Sequence, residues 1–148
     1  MDELVNLMRK VLADSFAFYL KTHNFHWNVE GKDFKQYHDF FGGIYEEVYG
    51  AVDGIAEEIR SLDAYAPGSL SKFSELTSIL DNNNYPTLEV MLRELSTDNQ
   101  KVIKSLEAAY NMSERFSQYG LSDFLAGRID AHKKHAWMLK ASMKGMEE

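Results

Sequence analysis

The chain has 148 residues, a formal net charge of −7 and no cysteine. That length suits one domain, residues 1–148, with room for a real hydrophobic core. The absent thiols exclude disulfides, thiolate metal sites and cysteine nucleophiles. The negative charge, with Asp2-Glu3 and Glu147-Glu148 near the ends in place of a basic tail, argues against DNA as a partner.

Hydrophobic residues make up 45% of the chain, so a folded domain is expected rather than disorder. Two prolines in the whole sequence favour long helices. No apolar run approaches the roughly 20 residues that span a bilayer. No basic segment followed by an apolar one marks a secretory signal. A soluble, cytoplasmic protein is the expectation.

Apolar spacing of three and four predicts a first helix over residues 2 to about 29. Its face carries Leu4, Leu7, Met8, Val11, Leu12, Ser15, Phe16, Tyr19 and Leu20, and His23 and His26 continue it. Asn28 to Gly31 reads as a stop. A second helix runs from about Phe34 to Leu62, burying Tyr37, Phe41, Ile44, Tyr45, Val48, Val52, Ile55, Ile59 and Leu62. Gly42, Gly43, Gly50 and Gly54 lie inside it, although an interior glycine costs about 1 kcal/mol relative to alanine. Gly43, Gly50 and Gly54 share a stripe, which either faces solvent or admits a neighbouring backbone.

Ala66-Pro67-Gly68-Ser69 breaks the pattern and opens a long connection to about Tyr85, with a short helix near Ser69 to Phe73. Pro86 is placed at the first position of a third helix bearing Leu88, Met91, Leu92, Leu95, Val102, Ile103 and Leu106. That helix fades between Tyr110 and Gly120. A fourth runs from about Leu121 to Met143 with Phe124, Leu125, Ile129, Trp137, Met138 and Leu139, and Gly145 is its candidate cap. The chain therefore reads as all-α: a four-helix bundle of ferritin-like connectivity, with a short extra helix in the connection between helices two and three.

Four residues carry the candidate chemistry. His26 precedes the turn between the first two helices and His38 follows it; Asp53 and Glu57 lie four residues apart on one face of the second helix. Charged groups set among apolar residues need a partner, a proton or a metal. Taken singly, the histidines read as ordinary interface residues. Taken with the acid pair, they read as metal ligands. His38 and Asp53 are fifteen residues apart on one helix, about 22 Å along its axis. One metal cannot bind both from a single chain. An antiparallel second copy brings the acids of one chain to the histidines of the other, so the site is expected across a two-fold axis. Two imidazoles and two carboxylates suit Fe(II), Zn(II) or Mn(II). No Glu-x-x-His, the usual bundle-core di-metal motif, occurs anywhere in the chain.

The run His26-Trp27-Asn28-Val29-Glu30-Gly31, then Phe34, His38 and Asp53-x-x-x-Glu57, resembles the Dps proteins, the miniferritins. Arg128-Ile129-Asp130-Ala131-His132 and Ala136-Trp137-Met138-Leu139 extend the resemblance over most of the chain. It implies a hollow homo-dodecamer of four-helix bundles. It implies ferroxidase centres, both catalytic and metal-binding, with His26 and His38 from one subunit and Asp53 and Glu57 from its neighbour. It implies oxidation of iron, Fe(II) to Fe(III), preferably by hydrogen peroxide and otherwise by dioxygen, with ferric mineral stored inside and Trp27 beside the centre to intercept oxidising equivalents. Zinc is a substitute metal. Family members often carry an acid one turn after the second histidine; here that residue is Gly42, which is expected to weaken at least one iron position, with Glu46 or a water as replacement. The family's Lys-rich tail is missing too. The alternative is a non-enzymatic oligomeric bundle whose centre is degraded at Gly42.

His23 is read as a hydrogen-bonded structural residue. His132 and His135, flanked by Lys133 and Lys134, are read as a solvated face. Asp123 and Asp130 either line an iron-entry pore, as in the family, or are a charge at a helix N-terminus (Asp123) and a surface acid (Asp130). Glu46-Glu47 and Glu57-Glu58 either nucleate mineral or are simply solvated.

Overall fold

Both prolines, Pro67 and Pro86, fall outside the long helices, where a missing N–H breaks no helical hydrogen bond. The computed structural model describes residues 1–146. Among them the chain forms α1 (Asp2–Asn28), α2 (Phe34–Ser61), α3 (Leu70–Leu76), α4 (Leu88–Arg115) and α5 (Tyr119–Ser142), with no strand. α1 packs against α2, α3 and α4, and α4 packs against α5. Two helical hairpins, α1–α2 and α4–α5, are thus joined by a long crossover that carries α3. No helix among the described residues is long and apolar enough to cross a membrane.

The core is made where apolar positions of the four long helices meet. Leu4, Met8, Val11, Leu12, Phe18 and Phe25 of α1 face Phe41, Ile44, Val48, Ile55 and Ile59 of α2. Met91, Leu92, Leu95, Val102 and Leu106 of α4 join them, with Leu121, Leu125 and Leu139 of α5. Phe18, Phe25 and Phe41 are the largest fully buried side chains. Each side chain of this kind contributes about 1.5–3 kcal/mol by leaving water.

The helix ends follow local chemistry. α4 stops where Ser117 takes a left-handed φ of 54°, and Gln118 N–H reaches back to Ser113 O at 2.9 Å while Ser117 N–H reaches Glu114 O at 3.1 Å. That pair of bonds is a Schellman closure. Asp63, at φ 63°, closes α2, with its N–H on Arg60 O at 2.9 Å. Ser69 caps α3 by accepting the Lys72 N–H.

Some details differ from the sequence reading. Pro86 lies outside α4, ahead of the N-cap Thr87, because Tyr85 turns the chain there with a φ of 50°. α5 starts at Tyr119, as soon as the Schellman closure ends, and α3 extends to Leu76. Gly145 has a φ of 86° but lies two residues past the C-cap, Met143. Leu20 is exposed, and Phe16 and Tyr19 are only half-buried. They belong to a second apolar stripe of α1 that α3 covers in part, through Phe73 stacked on Phe16 at 4.7 Å. Trp137 is 66% exposed.

Candidate metal centre

His26 ends α1 and His38 begins α2, so the short turn between them, with Gly31 at φ 118°, sets the two rings face to face. Their centroids are 3.8 Å apart and their planes 18° off parallel. His26 Nδ1–H donates to the backbone oxygen of His38 at 2.6 Å, and His38 Nδ1–H donates to that of His26 at 2.7 Å. A carbonyl oxygen can only accept, so each Nδ1 carries the proton. In the neutral rings both Nε2 atoms then hold free lone pairs, the form in which imidazole binds a metal. A backbone carbonyl on the other ring nitrogen is the usual way a ligating histidine is oriented. The structure thus brings His26 and His38 together as a reciprocal clasp.

Asp53 and Glu57 are exposed on the same unbroken α2. The continuous helix holds Asp53 about 22 Å along its axis from His38. Among the described residues, no three His, Asp or Glu side chains gather closely enough to hold a metal. The four candidate ligands therefore form two separate pairs within one chain. Asp53 borders a groove lined by Leu12, Phe16, Tyr49, Val52 and Phe73, which leaves an apolar surface beside the acids.

Aromatic rings surround the histidine pair. Tyr45 stacks on His23 at 3.8 Å and meets His26 edge-on at 5.1 Å. Tyr19 Oη lies 3.0 Å from His23 Nδ1. Trp27, 58% exposed, lies 4.0 Å from the His23 ring. Burial, and then the charge of His26, push the His23 imidazole below its ordinary value. Its bonding to Tyr19 fits a structural residue.

Three polar clusters escaped the sequence reading. His132 and His135 are buried rather than solvated. Lys133 and Lys134 point outward while the histidines turn in toward α2 and α4. His132 Nδ1–H donates to Asn99 Oδ1 at 2.7 Å, and Arg128 Nη2 donates to His132 Nε2 at 3.2 Å. Burial, then the charges of Arg128 and His135, lower its pKa to about 3. Glu47 is not a free surface acid: it accepts from His135 Nε2 at 2.8 Å and from Arg128 Nη2 at 3.1 Å. Burial alone raises a carboxyl, but these bonds outweigh it and hold Glu47 at about 2. The signal was present, since Arg128, His132 and His135 recur at four and three residues on one helical face.

Asp14, fully buried in α1, is a second hub. It accepts from Thr77 Oγ1 and Ser78 N–H at 2.7 Å each, from Ser78 Oγ at 3.1 Å and from Ser105 Oγ. Lys21, also buried, pairs with Asp98 at 2.8 Å and Glu94 at 2.9 Å and donates to Leu80 O at 2.8 Å. Asp123, Asp130 and Glu46 are exposed.

A family model described as a ferritin-like domain matches residues 5–148. An uncharacterized low temperature-induced protein of Nostoc sp. (strain PCC 7120) is 32% identical over 144 residues, 96% of this chain and 80% of that protein. DNA protection during starvation protein 2 of Bacillus anthracis is 29% identical over 139 residues, 94% of this chain and 95% of that protein. The crystal structure of the Dps protein from Vibrio cholerae O1, a member of the ferritin-like diiron-carboxylate superfamily, matches with a TM-score of 0.92 at 25% identity. That match covers 97% of this chain and 90% of the other. With the model, the sequence relatives and the fold in agreement, the chain belongs to the ferritin-like superfamily and, within it, to the Dps family.

Proposed function

We propose that this protein oxidises Fe(II), with hydrogen peroxide as the preferred oxidant, and stores the ferric product in a hollow homo-oligomer, a dodecamer, in the cytoplasm. The oxidation site is shared across a two-fold axis, with His26 and His38 from one copy and Asp53 and Glu57 from the other. Membership of the Dps family supports iron storage and ferroxidase activity at the level of the family. The observation that carries the site is the histidine clasp, which fixes two Nε2 lone pairs at one end of α2 while two exposed carboxylates wait at a distance.

Iron is the substrate here. The neutral imidazoles accept Fe(II), and the two carboxylates stabilise the added charge of Fe(III), which lowers the barrier to electron loss. The net charge of −7 favours cation uptake over DNA binding, and DNA is not part of the proposal.

Complementation between chains tests the sharing. Asp53→Ala with Glu57→Ala removes the acids, and His26→Ala with His38→Ala removes the imidazoles. Each double variant alone is expected to fold and to lose rapid Fe(II) oxidation in stopped-flow. Co-assembled, the two rebuild one intact site at each mixed two-fold and recover part of the rate. Rapid oxidation in the acid variant by itself refutes the assignment. No recovery on mixing, with mixed oligomers verified, refutes the sharing.

A further inference from the structure

We propose that Gly42 is the positioning residue of this centre: its bare α-carbon is the seat on which the His26 ring rests, and that seat is what keeps the histidine clasp closed. The inference builds on the proposed metal role of His26 and His38. Read from sequence, Gly42 is a gap in a ligand set. In the structure it is buried against His26, and a β-carbon there would lie 3.3 Å from both Cε1 and Nδ1 of that ring.

Helical geometry explains the closeness. In an α-helix the N–H of residue 42 points at the carbonyl of residue 38. That same carbonyl accepts the His26 Nδ1–H at 2.6 Å. The imidazole therefore reaches α2 right beside the α-carbon of residue 42. The ring has little freedom to withdraw. It is bonded at Nδ1, its own backbone oxygen holds His38 Nδ1 at 2.7 Å, and the His38 ring lies 3.8 Å away. A retreat of a few tenths of an ångström comes at the expense of one of these contacts. The next residue offers a contrast: Gly43 is exposed, and a β-carbon there meets nothing within 4 Å.

Gly42→Ala, Gly42→Asp and Gly43→Ala, each in the full-length protein, test the idea with two readouts. Nitrogen NMR of the metal-free histidines at mildly alkaline pH reports which ring nitrogen is protonated. Titration with Zn²⁺ reports the affinity of the assembled site. Wild type and Gly43→Ala are expected to show the Nδ1–H form at His26 and to bind Zn²⁺ alike. Gly42→Ala is expected to mix the two tautomers at His26 and to weaken Zn²⁺ about tenfold, the usual effect of losing a group that orients a ligand. Gly42→Asp, although it adds a carboxylate, is expected to weaken binding as well. An unchanged His26 signature in Gly42→Ala overturns the proposal, as does tighter Zn²⁺ binding by Gly42→Asp. A wild type that binds no Zn²⁺ removes the metal reading alone, and the tautomer comparison still decides the role of Gly42.

Discussion

His132 makes the protein's resistance to acid calculable. In an unfolded chain a histidine takes up its proton near 6.5; in the fold, burial and the neighbouring Arg128 hold His132 neutral down to about 3. Between those two values the unfolded chain binds a proton that the folded chain refuses. Stability therefore falls as pH falls through that window, by about 1.4 kcal/mol per pH unit. The loss attributable to His132 is on the order of 2 kcal/mol at pH 5 and on the order of 5 kcal/mol once the window is crossed. Glu47 adds to it only lower down: its depressed carboxyl stabilises the fold above the ordinary value of 4.5, and that help fades between 4.5 and about 2. The range from pH 6.5 to 4.5 thus isolates the histidine of this pair. The assay is urea unfolding across that range at one fixed protein concentration, because assembly adds a concentration-dependent contribution. His132→Gln, neutral at every pH, is expected to be less stable near neutrality and to flatten the slope. A wild type whose stability stays level from pH 6.5 to 4.5, or a variant that keeps the full slope, refutes the reasoning.

Two further expectations follow from the other buried polar groups. Asp14→Ala removes an acceptor that four donors share, and should lower stability by about 3 kcal/mol in urea unfolding, with faster amide exchange at Ser78; a loss below about 1 kcal/mol would show the hub to be dispensable. Lys21→Met strands the Asp98 carboxylate, whose pKa burial already raises despite the lysine, and should cost about 3–5 kcal/mol. Adding Asp98→Leu should restore most of that loss, and a double variant no better than the single would contradict the pairing.

The apolar rhythm of the sequence located all four long helices and the short one because hydrophobic periodicity is what packs them. It erred where a helix has two apolar stripes. Phe16, Tyr19 and Leu20 keep helical spacing as faithfully as Phe18 and Phe25 do, and only the position of α3 distinguishes the covered stripe from the core. Buried polar residues were harder still. Asp14 and Lys21 are seven apart on α1, as Asp98 and Ser105 are on α4, and the two pairs face each other across the bundle. A charge among apolar neighbours looks the same in sequence whether it is paired inside or wet outside; the partner lies 77 or 91 residues away, beyond any local pattern. Of the candidate ligands, the histidine pair was legible through its motif, and its closure by mutual backbone bonds was not. The fifteen-residue gap between His38 and Asp53 did translate directly into separation in space, because a straight helix converts count into length.

The crossover fastened on Asp14 has a consequence for how the chain tolerates change. Thr77 and Ser78 pin the linker near its middle, and Lys21 grips it again at Leu80. A long tether thereby becomes two short ones, and the entropy of closing each depends on its own length alone. Added residues between Leu62 and Ser69 would lengthen one span without slackening the other. Drift in loop length there can accumulate over evolution while both hairpins keep their registration.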